Sequence, residues 1–224
     1  MCLPPHSVTI LVVEDQTMIR ELLVWACRSA FAPATIAEAS DAADAQKQCH
    51  AVKPDVIILD LELPDRDGLD MLPELMKVVP QAKVIALSSH TDEVTVFRVL
   101  QSHIAGFVDK NAQPMNMLRE AVATVLEGRR YLSPVVKEVW QKLREAPAAF
   151  NKLLSDREQE VLSLVGRGQT NAEIAEHLNL KVITVQNHRC NIMTKLGIHS
   201  TSHLIRYATE KGFTRLKATS QKGS

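Results

Sequence analysis

Apolar and polar positions alternate in blocks along the first half of the chain. Val8-Thr-Ile-Leu-Val-Val13 runs into Glu14-Asp15, Val56–Leu59 into Asp60, Val84–Leu87 into Ser88-Ser89, and Gly106–Val108 into Asp109-Lys110. Short apolar runs of this kind predict strands buried on both faces of a parallel sheet. A further strand is predicted over Ala34–Ala37. Between the runs the apolar period changes to that of a helix. Ile19, Leu22, Leu23, Ala26 and Cys27 line one face of Thr17–Ser29, and Asp41 is placed to cap the next helix. After a Pro64/Gly68 turn come Met71, Leu72, Leu75, Met76 and Val79. Asp92 or Glu93 opens a helix to about Gln101, and Pro114 opens one through Met117, Leu118, Ala121, Val122 and Val125. Strand–helix alternation of this kind predicts a parallel α/β sheet with right-handed crossovers.

The pattern changes after Gly128-Arg-Arg130. Leu132-Ser133-Pro134 reads as the cap and first residue of a linker helix reaching about Glu145, and Ala146–Ala149 is the expected hinge. From Leu154 the periodicity is purely helical. Ser155 and Glu158 form a capping box ahead of Val161, Leu162 and Val165, and Gly166 and Gly168 end that helix. A second helix spans Asn171–Leu178. A turn at Asn179-Leu-Lys181 leads to a third, Val182 to about Leu196. On this last helix Val185, His188/Arg189, Ile192 and Leu196 share one side, and Gln186, Asn187, Cys190 and Thr194 the other. The boundaries read from these changes are 7–128 for the α/β domain, 129–150 for a linker with a helix, 151–215 for a small all-α domain and 216–224 for a polar tail.

Formal net charge is zero, yet the halves differ. From Asn151 onward there are eleven Lys/Arg against six Asp/Glu, balanced by an equal acidic excess before it. A basic helical half points to nucleic acid as its partner. The four cysteines form no C-x-x-C pair and no zinc-like spacing, so reduced thiols are expected. The first apolar run stops at Glu14, too short for a signal peptide core or a membrane span. A cytoplasmic location without a membrane partner is therefore expected.

The candidate chemistry lies at the carboxyl edge of the predicted sheet, where open α/β sheets bind ligands. Glu14, Asp15 and Asp60 offer carboxylates to a hard cation such as Mg²⁺, which also relieves their mutual repulsion. Asp60, ending the most apolar strand, is the nucleophile candidate for accepting a phosphoryl group. Lys110 would pair with the phosphoryl oxygens and the Ser88 hydroxyl would donate to them. For any one of these acids a solvated loop position is the simpler account. All of them together with the lysine favour the pocket.

The segments VVED, DVIILDLELPDRDG, VIALSSH and GFVDK, in that order over about Val8–Glu127, resemble the receiver domain of bacterial response regulators. The resemblance implies a flavodoxin-like, doubly wound, five-stranded sheet of order 2-1-3-4-5. It implies Asp60 as phosphoacceptor, Glu14 and Asp15 as the acidic pair, and the Glu62 backbone carbonyl as a further Mg²⁺ ligand. It also assigns Ser88 as the switch hydroxyl, Phe107 as the switch aromatic and Lys110 as the conserved-type lysine. Asp65 stands where such regulators often have Gly, Ser89 where a smaller residue is usual, and Glu62 and His90 at positions that tune dephosphorylation.

LSDREQEVLSLVGRGQTNAEIAEHLNL and TVQNHRCNIMTKLGI, covering about Leu153–Lys211, resemble the LuxR-type helix-turn-helix, and the two modules together resemble the NarL/FixJ regulators. By resemblance Gln186, Asn187 and Cys190 face bases, while Thr184, His188 and Lys195 lie near phosphates. Lys181 replaces the usual Ser or Thr and adds a basic candidate contact. Gln186 and Ala172 replace usual lysines, and Ile183 an often basic residue. Ser200–Glu210 matches the helix that pairs two such modules.

The expected function is a two-component response regulator: a DNA-binding transcription regulator, not an enzyme, phosphorylated on Asp60 by a sensor histidine kinase. It is expected to bind double-stranded DNA as a homodimer, with RNA polymerase a further candidate partner. One rival is a phosphorylation-independent regulator or protein-interaction module whose receiver serves for dimerisation. The other is an aspartyl-nucleophile phosphatase, suggested by Asp60-Leu-Glu62.

Overall fold

The structure is a computed structural model and describes residues 8–102, 104–112 and 114–215. The expected polar tail, 216–224, and residue 7 lie outside the described residues. The chain divides into two compact units, the first ending at Glu138 and the second taking up the chain from Val139.

The first unit is a parallel sheet of β1 (Val8–Val13), β2 (Ala34–Ala39), β3 (Val56–Asp60), β4 (Lys83–Ser88), β5 (Gly106–Asp109) and β6 (Tyr131–Leu132). Their order is β2-β1-β3-β4-β5-β6. Helices α1 (Thr17–Ala30), α2 (Ala42–Val52), α3 (Gly68–Val78), α4 (Glu93–Gln101) and α5 (Pro114–Leu126) alternate with the strands. β3 is buried at every residue, as a strand covered on both faces must be. Ile10, Val12, Val56, Ile58, Ile85 and Leu87 form the middle of a core shared with α1 and α5.

The expected five strands are six. Tyr131 and Leu132 pair in parallel with Gly106 and Phe107, so the sheet extends past residue 128. Two residues carry no period, and a preceding Gly-Arg-Arg reads as a domain end. Both features concealed the strand in the sequence.

Strand order reverses at β1 and β3, where Val13 lies level with Leu59. The residues that follow, Glu14 and Asp60, are therefore neighbours at the carboxyl edge. Gly68, the first residue of α3, is fixed by the same edge. A Cβ there would press into the Asp60 carbonyl oxygen and sit 2.9 Å from Leu61 Cα. The backbone beside Asp60 thus requires glycine.

Helix α6 (Pro134–Glu145) follows the sheet. The second unit contains α7 (Phe150–Leu153), α8 (Asp156–Gly166), α9 (Asn171–His177), α10 (Val182–Leu196) and α11 (Thr201–Lys211). The capping box of Ser155 and Glu158 is formed as expected, and Thr170 with Glu173 forms a second one. Gly197 ends α10 in the left-handed conformation (φ 64°), which glycine adopts without strain. The short α7 begins at Phe150, the last residue of the expected linker, and runs into the expected all-α domain.

Gly68→Ala should destabilise the first unit by about 1–3 kcal/mol, because backbone rather than a movable side chain obstructs the methyl group. Calorimetry of the full chain should show one thermal transition lowered and the other unmoved.

Candidate functional site

The edge residues converge on one ammonium group. Lys110 Nζ lies 2.8 Å from Glu14 Oε2 and 2.7 Å from Asp60 Oδ2. Glu14 and Asp60 are buried to 0% and 1% exposure, so both charges sit where water compensates little. Burial raises the Glu14 pKa, and the Lys110 hydrogen bond opposes this without cancelling it. Burial pulls the Lys110 pKa down, but hydrogen bonds to Asp60 and then Glu14 more than offset it, so it stands raised. Asp60 Oδ1 accepts from the Glu62 amide at 3.0 Å.

Glu14, Asp15 and Asp60 each place a carboxylate oxygen within 4.8 Å of the others. The buried Oδ1 of Asp15 has no hydrogen-bond partner among the described residues. Three clustered carboxylates, two of them paired with one ammonium and the third with an unsatisfied oxygen, form a donor set that suits a hard divalent cation.

The remaining predicted residues stand nearby. Ser88, 1% exposed at the end of β4, does not point its hydroxyl at a free space: it donates to Glu62 Oε1 at 3.2 Å and accepts from the His90 amide at 2.9 Å. His90 Nε2 is 3.4 Å from the other Glu62 oxygen. Phe107 is fully buried in β5. Glu62 was expected to act through its backbone carbonyl and, with His90, at positions that tune dephosphorylation; its side chain ties Ser88 to His90.

Three further residues shape the edge without having been foreseen. Arg20 donates to the carbonyls of Glu14 (2.7 Å) and Asp15 (3.3 Å), which holds the acidic turn. Asp65 accepts from the Ala42 amide at the start of α2, so the departure from Gly supplies a helix cap. Arg98 of α4 bonds Asp67 and Asp70 at the start of α3.

In the second unit α10 carries the expected two faces. Val185 and Ile192 are fully buried, while Lys181, Gln186, Asn187, Cys190 and Lys195 are exposed and Thr184 and His188 half-buried. Both Lys/Arg residues of α10 have intramolecular partners. Arg189 donates to Asn171 Oδ1 (2.8 Å) and Thr201 Oγ1 (3.2 Å). Lys195 Nζ lies 2.8 and 2.7 Å from the two oxygens of buried Glu158. The charge expected at a phosphate is therefore held by a carboxylate inside the module.

The response regulator receiver domain family matches residues 10–123, and the luxR family of bacterial regulatory proteins matches 152–208. The chain belongs to the two-component response regulators with a LuxR-type DNA-binding domain.

The oxygen regulatory protein NreC of Staphylococcus aureus is 35% identical to this regulator over 185 residues, 79% of this chain and 85% of the relative. The response regulator protein VraR of Staphylococcus epidermidis is 29% identical over 90% of this chain and 96% of its own. RcsB of Salmonella enterica serovar Typhimurium, solved on a promoter with the phosphomimetic BeF3−, has the same fold. It matches with a TM-score of 0.65 at 23% identity and covers 92% of this chain and 99% of that one. No helix among the described residues is long and apolar enough to cross a membrane.

The regulator's Glu158 gives a pH test. Burial opposes ionisation, but Lys195 and then Ser155 outweigh it, and the carboxyl is held below its ordinary range. Its contribution to stability is thus present above the unfolded value of about 4.3 and lost as pH falls through the lower folded value. Lys195→Met should cost about 1–2 kcal/mol at pH 7, a figure discounted because the Lys195 side chain is 41% exposed. Hydrogen exchange across 155–166 should show the loss at pH 7 and a smaller difference near pH 4.

Proposed function

We propose that this response regulator is switched by phosphoryl transfer from a partner sensor histidine kinase to Asp60, and that the switched form binds two-fold duplex sites as a homodimer. The reading is carried by the Asp60–Lys110–Glu14 cluster with the unsatisfied Asp15 oxygen beside it. Glu14, Asp15, Asp60 and the Glu62 carbonyl would hold Mg²⁺, which supplies charge neutralisation for the incoming phosphoryl oxygens. An Asp60 carboxylate oxygen attacks phosphorus, the P–N bond of the donor histidine breaks, and its imidazole leaves with the electron pair. Lys110 moves part of its interaction from Asp60 to the phosphoryl oxygens as a point charge. The Glu62 amide holds the other carboxylate oxygen in place during attack.

Ser88 can donate to the phosphoryl group only after leaving Glu62. The new charge favours this exchange, because it repels the Glu62 carboxylate, whose side chain is 47% exposed and free to turn to water. Phe107 is the proposed second mover. In the helical module Lys181, Thr184 and His188 lie on the flanks proposed to meet phosphates, and Gln186, Asn187 and Cys190 on the face proposed to meet bases. With Lys195 tied to Glu158, its replacement should act on stability more than on the salt dependence of binding. We further propose a cytoplasmic, non-enzymatic protein organised as a receiver ending past β6, a linker helix and the DNA-binding module.

Incubation with Mg²⁺ and a small acyl phosphate should add one phosphate-sized mass to the full chain and none to Asp60→Asn. Labelling retained in that variant would sink the assignment. Duplex binding by Asp60→Asn equal to that of the phosphorylated protein would instead favour a phosphate-independent receiver. Mg²⁺ titrated by calorimetry should bind wild type and bind Asp15→Ala at least about tenfold more weakly, as expected when one ligand carboxylate and its orientation are lost. Equal affinities would remove this pocket as the metal site.

A further inference from the structure

At about 100° per residue, Ile183, Cys190 and Thr194 fall within about 20° of one line along α10, with Gln186 about 60° to one side and Asn187 about 40° to the other. All five are exposed, and fully buried Val185 and Ile192 mark the opposite side. Ile183 heads that line in the first turn and is 59% exposed. A single exposed apolar residue is ordinary on a protein surface. This one stands where recognition helices meet base edges, one turn ahead of Asn187.

The line also lacks a cation. Arg189 and Lys195 are bound to Asn171, Thr201 and Glu158, and neither belongs to the exposed line. Arg and Lys are the usual readers of guanine O6 and N7, Asn and Gln read adenine N6 and N7, and apolar side chains read the thymine C5 methyl. The available groups are therefore two amides, a thiol, a hydroxyl and a branched alkyl chain.

We propose that Ile183 determines specificity by packing on a thymine C5 methyl group in the major groove, beside A·T pairs read by Gln186 and Asn187. The inference rests on the DNA-binding reading above and adds the base class that the helix selects. An alkyl–methyl contact carries no charge, so its contribution does not change with salt, whereas phosphate contacts weaken as salt rises.

The test uses the phosphorylated full chain to enrich duplexes from a random pool. The enriched site is then remade with uracil for each thymine in turn, which removes only the methyl group. Wild type should lose about fourfold in affinity at one thymine per half-site, the value of one buried CH₂-sized group, and the loss should be the same at two salt concentrations. Ile183→Ala should bind more weakly and be indifferent to that replacement. Ile183→Lys should also be indifferent to it and show a steeper salt dependence. Wild-type binding unchanged by every uracil, or Ile183→Ala as sensitive as wild type, overturns the proposal while leaving DNA binding intact. Failure to enrich any duplex overturns the DNA-binding reading and this inference together.

Discussion

The first unit is organised around one largely enclosed ammonium, that of Lys110. Strand order reverses between β1 and β3, so Glu14 and Asp60 necessarily meet at the carboxyl edge. Two nearly inaccessible carboxylates side by side repel each other strongly and have lost the water that would stabilise them. Lys110, delivered by the end of β5, bridges them at 2.7 and 2.8 Å. The bridge does not neutralise the edge, because one ammonium faces two carboxylates and Asp15 adds a third. The apolar strands thus produce a site with surplus negative charge, which attracts a cation. The same site holds Asp60 between a lysine and an amide donor. Gly68, Arg20 and Asp65 shape the surrounding backbone to suit.

The helical module handles charge differently. Its longest helix has two strong cations and binds both to the protein itself. Lys195 neutralises Glu158, which in turn completes the cap of α8. Arg189 links α10 to the start of α9 and of α11. The positive charge therefore fixes the angle at which α10 is presented, and the exposed face is left to polar and apolar side chains. The phosphate contacts proposed for the module are thus left to residues outside its two paired cations, such as Lys181 and Thr184, and the proposed joining of two modules would add avidity without new contacts.

Most of the fold was legible because its signals are local. Apolar runs located five strands, and Asp41 and Ser155 announced helix starts that the structure forms. The acids and the lysine were legible because each directly follows such a run. What escaped falls into two physical classes. β6 has only two residues, which gives periodicity nothing to act on. The other class is pairing between distant side chains: Ser88 with Glu62, 26 residues apart, and Lys195 with Glu158, 37 apart. Such pairs depend on rotamers that packing selects and that no spacing along the chain encodes. The Thr170/Glu173 box is a different case, since its T-x-x-E signal is as local as that of Ser155 and Glu158.

The Glu62 side chain joins the chemistry of the edge to the movement proposed for it. Ser88 has one hydroxyl proton to give, and Glu62 accepts it here. A phosphoryl group on Asp60 would compete for that proton with more negative charge and at closer range to Lys110. The two acceptors cannot share it, so the arrangement has two discrete states, and the preference between them follows the charge on Asp60. His90 biases the same choice: its amide fixes the Ser88 oxygen and its ring holds the second Glu62 oxygen. Replacing the charge of Glu62 would thus change how readily Ser88 is released, with no alteration to the residues proposed to carry out transfer.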